Sequence, residues 1–219
     1  GDKVVIDVQE GDFDMLVDLV GVARAAAATT GVATVAINSA TANATFNADV
    51  TVTVGTNGHI GASSATGNVN IAAHLNYDDP TTPLVNEGFL TQADGAESGK
   101  GAIGSADNIA VGLASVPEAN VNVGANSTML VEVGANTSLT TGGTGSVNVS
   151  GLHSNTAFGT LSNFSLGAIA VPTGNVYPSA YGSTIVNFYG DVGNGSSPAA
   201  HDLNVRAEHN SIAEGTLCS

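Results

Sequence analysis

Three stretches of this chain can be laid one upon another. They are VTVGTNGHIGASSATGNVNIAAHLN, ending at Asn76, VEVGANTSLTTGGTGSVNVSGLHSN, ending at Asn155, and VNFYGDVGNGSSPAAHDLNVRAEHN, ending at Asn210. Each has an alternating apolar strand closing near glycine, a turn of Gly, Ser, Thr and Asn, a second alternating strand, and then a histidine. The match continues upstream, so each unit covers about 45 residues, near 31–77, 108–156 and 163–211. Residues 78–107 have no counterpart and hold Pro80, Pro83 and most of the mid-chain acids, which reads as an inserted acidic loop. The expected organisation is an N-terminal strand, cap or donor segment (1–30), repeat 1 (31–77), the insertion (78–107), repeat 2 (108–156), and repeat 3 with the tail (157–219).

Strict alternation with β-branched residues marks strands at 3–8, 48–54, 68–71, 129–133 and 146–149. The alanine run Ala25 to Ala28 is followed at once by Thr29, Thr30 and Gly31, which favours a small-residue strand or corner over a helix. Repeated short strands with Gly/Asn/Ser corners suit an all-β fold, a parallel β-helix or β-solenoid built from three divergent repeats. The absence of tryptophan fits a narrow interior. At about 20 to 25 residues per coil, about ten coils would make a rod near 50 Å long. The competing expectation is a β-sandwich, which needs no threefold similarity.

Composition removes several roles. With 19 acidic against 4 basic residues the chain carries a net charge of −15 and no Lys/Arg cluster, so it repels phosphate backbones and anionic lipid. Nucleic acid is not an expected partner, and no apolar run is long enough for a helical membrane span. The lone Cys218 cannot form an internal disulfide, and no thiol metal motif exists. The chain starts at Gly1, so a leader already removed would leave no trace.

Strings such as GVATVAINSATANATFNADVTVTVGTNGHIGASSATGNVNIAAH and MLVEVGANTSLTTGGTGSVNVSG resemble the filamentous-haemagglutinin-like repeat regions of large bacterial surface adhesins. The resemblance covers most of 31–211 and rests on style rather than on an invariant motif. It implies a right-handed parallel β-helix exported to the cell surface. The chain departs from such proteins in its shortness and its acidic insertion, which leaves adhesin fragment and independent subunit both open.

Candidate sites are few. His201, Asp202, Arg206, Glu208 and His209 form the one constellation suited to acid–base chemistry; on a strand Arg206 and Glu208 share a face and His209 takes the other. A plain polar strand explains the same residues more simply. His74, His153 and His209 end equivalent repeats, so a metal-binding row is conceivable, although duplication accounts for it too. Asp12 with Asp14, and Asp78 with Asp79, are candidate calcium ligands without an EF-hand loop. Glycosylation sequons stand at Asn43, Asn126, Asn136, Asn148, Asn163 and Asn194, against about four expected by chance at this composition.

The sequence therefore leads to an extracellular or cell-surface structural protein. It would be a non-enzymatic adhesin stalk or self-assembling filament subunit, with copies of itself or flanking adhesin modules, and possible carbohydrate, as partners. No catalytic residue or obligatory cofactor is expected. The alternative is a polysaccharide-binding or polysaccharide-cleaving β-helix with its site near Arg206.

Overall fold

The computed structural model describes residues 5–6, 11–61, 67–77, 101–142, 144–193 and 200–218. Among them the chain runs through fourteen strands and no helix. A first passage comprises β1 (Val5–Ile6), β2 (Phe13–Leu19), β3 (Val22–Val32) and β4 (Val35–Val54). A second comprises β5 (His59–Ile60), β6 (Val69–Leu75), β7 (Gly101–Val111) and β8 (Ala114–Val133). The third holds β9 (Ser138–Leu139), β10 (Val147–Leu166), β11 (Ile169–Ala170) and β12 (Thr173–Phe188), and the last holds β13 (Asp191–Val192) and β14 (Leu203–Cys218).

Each passage visits three sheets in the same order. A short sheet runs β1-β5-β9-β13. In the β10 sheet, β10 pairs with β14 on one side and with both β6 and β7 on the other, which in turn carry β2 and β3. The β8 sheet stacks β4, β8 and β12, with β11 also on β8. Every pairing is parallel. An all-β architecture of parallel strands is consistent with a β-solenoid, whereas the antiparallel ladders of an immunoglobulin-type sandwich do not accommodate it.

The register corrects the expected coil. Asn204 lies beside Asn148, 56 residues earlier, and Asn175 beside Asn120, 55 residues earlier. Where 78–100 intervenes the offset is 78 or 79, as for Asn148 on Asn70 and Asn122 on Asn43. One turn of chain thus takes about twice the expected length, and the β10 sheet is only four strands deep from β2 to β14. Four strands at about 4.8 Å span roughly 15 Å, while a 20-residue strand such as β4 extends about 65 Å. A rod of ten small coils is replaced by a flat slab, broader along its strands than along its stack.

Two sections of the opening expectations land inside this stack. Within 1–30, β2 pairs with β6 and β3 with β7 of the same chain. The last seven residues assigned to the insertion, 101–107, belong to β7 and are paired with β3 and β10; residues 78–100 lie outside the described residues.

Side-chain size sets how close the two large sheets come. Near the short sheet the core is Val50, Val52, Ile71, Leu75, Met129, Val131 and Val149. Toward the other end alanine takes over at 40, 42, 44, 102, 106, 119, 125 and 157. There Gly104, Gly159 and Gly215 follow one another in register. A Cβ on Gly104 would sit 2.7 Å from Val123 Cγ2, one on Gly215 would sit 2.9 Å from Val176 Cγ1, and one on Gly159 would overlap Val176. Small residues on both sides let the sheets approach more closely than branched ones would permit.

Candidate functional site

The tail constellation divides between the faces of β14, as its spacing requires. Arg206 Nε donates to the Glu208 carboxylate on the outward face. That bond, with a lesser contribution from Tyr77, raises the guanidinium pKa further. Glu208 follows Leu152, His74 and Asp18 in one column, so carboxylates stand at both ends of it. His201 and Asp202 form a separate, exposed pair, 2.8 Å apart. The guanidinium is therefore engaged by its own strand neighbour.

His209 points inward and meets His153. Their Nδ1 atoms are 3.2 Å apart and the rings stand edge to face, with centroids separated by 4.6 Å. Thr184 Oγ1 approaches the same His153 nitrogen at 3.3 Å. His153 is fully buried, and burial pushes its pKa down to about 4, with His209 adding a smaller push in the same direction. Burial lowers His209 as well. Burial thus favours the neutral form of both rings, and a single N–H is enough to bridge the two facing Nδ1 atoms.

The third histidine is out of line. His74 pairs in register with Leu152, while Leu75 pairs with His153, so His74 faces the opposite side of the sheet. It is buried beside Tyr77, ring centroids 5.6 Å apart, and its pKa is lowered mainly by that burial. The expected row of three histidines is corrected to a pair. Among the described residues no group of three or more His, Cys, Asp or Glu is placed to hold a metal ion.

Asp12 and Asp14 lie at the exposed start of β2 and cap columns of side chains. Asp12 Oδ1 accepts from the Asn68 backbone N–H at 2.7 Å, and Asp14 Oδ1 accepts from Asn70 Nδ2 at 2.6 Å. From Asp14 the column continues: Asn148 donates to Asn70 at 2.7 Å, and Asn204 donates to Asn148 at 2.8 Å. Sequence reading offered these two acids as candidate calcium ligands and missed the column, although Asn70, Asn148 and Asn204 stand second in β6, β10 and β14. Asp78 and Asp79 fall outside the described residues.

The sequon asparagines differ in access. Asn43 and Asn126 project from the outer face of the β8 sheet, Asn136 sits in a turn at φ 58°, and Asn148 belongs to the column above. Asn163 is only 3 % exposed, and its Nδ2 donates to Thr173 O at 2.7 Å. The folded chain leaves no room for a sugar there. Asn194 is outside the described residues.

The outer face of the β8 sheet is a polar surface built by alternation. Asn122 donates to Asn43 at 2.8 Å, Thr128 to Asp49 at 2.6 Å, and Asn175 to Asn120 at 3.1 Å. In each case the donor belongs to the later passage. Tyr177 and Tyr181 stand exposed among them, and a shallow groove runs past Asn43, Asn122, Gly124, Tyr177 and Ser179. Among the described residues, β2, β3 and β4 at the start of the stack and β12 and β14 at its finish each pair on one side. No helix among the described residues is long and apolar enough to cross a membrane. No protein-family model matches the chain, and neither curated proteins nor solved structures gave a significant match.

Proposed function

We propose that the chain is a structural module of an extracellular or cell-surface assembly, a β-solenoid segment of divergent repeats that serves as filament subunit or adhesin stalk. The observation that carries this reading is the uniform parallel register, with offsets of 55 and 56 residues and of 78 and 79 across the intervening segment. Such a stack transmits load through continuous backbone ladders and presents strand edges at both ends for further stacking. The same style of sequence supports a surface location through its resemblance to adhesin repeats. Glycan contact is the second reading, supported by Tyr177 and Tyr181 standing among asparagine and serine side chains on an open sheet face.

Electron microscopy with sedimentation at neutral pH tests the structural role. Filaments or stacks with an axial repeat of about 4.8 Å are expected. A monodisperse monomer that cleaves an acidic or neutral glycan, and loses that activity on Arg206→Ala while folded, overturns the reading in favour of the enzyme.

A further inference from the structure

His153 and His209 are neighbours in one inward column, because β10 and β14 run in register, and Leu75 and Leu19 continue that column. Thr184 of β12 closes on the pair from the facing sheet. Gly182 makes room for the rings: a Cβ there would sit 2.7 Å from His209 Cε1 and from Ser127 O, and would overlap Asn155 Nδ2. Around it His153 Nε2, Asn155 Oδ1 and Ser127 Oγ have no hydrogen-bond partner of proper geometry, although all three residues are at most 1 % exposed. Buried polar atoms are nearly always paired, so a cluster of exceptions marks a polar site with bonding capacity to spare.

The donor atoms of this pocket have a definite spacing. His153 Nδ1 is 3.2 Å from His209 Nδ1 and 3.3 Å from Thr184 Oγ1. Two ligands each about 2.0 Å from a tetrahedral ion stand about 3.3 Å apart, whereas neighbouring corners of a square-planar ion stand about 2.8 Å apart. Both observed separations are those of a tetrahedral edge. Ser211 Oγ, 2.6 Å from His209 Nε2, can hold a proton on that nitrogen and so leave Nδ1 as a lone pair facing His153. Burial lowers the pKa of both rings, which weakens the competition of protons for these nitrogens.

We propose that His153 Nδ1, His209 Nδ1 and Thr184 Oγ1 bind one zinc ion, with water at the fourth corner. Imidazole nitrogen suits zinc, and the hydroxyl adds an uncharged oxygen. The bound water brings hydrogen-bond donors into a pocket where Asn155 Oδ1 and Ser127 Oγ accept none. The N–H that bridges the two Nδ1 atoms in the metal-free chain leaves as one proton when zinc enters. The site rests on the register of β10 with β14 and is independent of the structural role proposed above.

Calorimetric titration of the whole 219-residue chain with zinc chloride at neutral pH is the test. One tightly held ion per chain is expected, and Co2+ in its place should give the strong visible bands of four-coordinate cobalt, erased by added Zn2+. His209→Gln and His153→Leu each lower the affinity roughly tenfold or more, and Thr184→Val lowers it several-fold. His201→Ala, at the exposed pair with Asp202, leaves it unchanged. No tight binding, full affinity in any of the first three variants, or loss of the ion with His201→Ala each overturns the proposal, the last by assigning the zinc to the surface. Circular dichroism checks that the variants keep their β structure. Where one does not, X-ray absorption of the zinc-loaded parent decides: two imidazole ligands at about 2.0 Å are expected, and fewer than two overturn the assignment.

Discussion

His153 is a neutral imidazole in a fully buried position, and acid should find it. Its folded pKa of about 4 lies below the ordinary 6.5 of an unfolded chain. The folded state therefore keeps its full stability above about pH 6.5 and loses it as the pH falls toward 4, by about 3 kcal/mol from this group. Leu19 and Leu75 occupy the same column, so His153→Leu has apolar precedent at the site. Chemical denaturation at pH 7 and pH 4 should show a smaller acid loss in His153→Leu than in the parent. Gly159 makes a second test, because a methyl there meets Val176. Gly159→Ala should cost about 1 to 3 kcal/mol, and Val176→Ala in the same chain should recover part of it. The faces of Arg206, Glu208 and His209 were legible from strand alternation alone. The buried state of Asn163 was not, since a sequon reports chemistry without reporting depth.

Among the elements, β4 and β8 were the most readable: Val50, Val52 and Val54 alternate with Asp49, Thr51 and Thr53, and the structure buries the first set and exposes the second. Strand length was less so. Alternation looks alike in one long strand and in two short ones meeting at a corner, and β10 passes straight through Ser154 and Asn155 where a turn would suit the composition. The slip of His74 has a similar origin. The offset is 79 residues at Asn43 and Asn122 but 78 at Asn70 and Asn148, so one residue is lost in the intervening turn and every later side chain changes its partner. Core and column predict different costs at this scale. Ile71→Ala, at a fully buried site, should destabilise by about 2 to 5 kcal/mol in urea denaturation. Asn148→Ala breaks bonds to both Asn70 and Asn204 yet sits at a half-buried position, and about 1 to 2 kcal/mol is expected.

For the whole molecule, similarity between segments translated into neighbours in space: Val52, Val131 and Val186 were aligned by sequence and stand side by side in the β8 sheet. What similarity could not convey was how many residues close one turn, because the insertion and the long strands disguise the period. The corrected shape changes the physical argument for assembly. A slab about 15 Å along its stack and about 65 Å along its strands exposes a large share of its backbone edge relative to its core. In stacking of one copy's β2 and β3 on another's β14, the repulsive pair Asp18 with Glu208 and the attractive pair Arg24 with Glu214 offset one another in the register the columns define, and the net charge of −15 on each copy leaves repulsion dominant. Assembly through those edges should therefore strengthen with added salt, as sedimentation at low and high ionic strength would reveal.

The register itself is the claim on which the rest stands, and cysteine pairing tests it directly. In a Cys218→Ser background, Thr51→Cys with Leu130→Cys places two thiols on adjacent parallel strands at paired positions, within reach of a disulfide. Thr51→Cys with Asn126→Cys displaces them by four residues, about 13 Å along the strand. Rapid, near-complete oxidation of the first pair and none of the second is predicted. Equal oxidation of both, or oxidation of the displaced pair alone, would contradict the parallel stack.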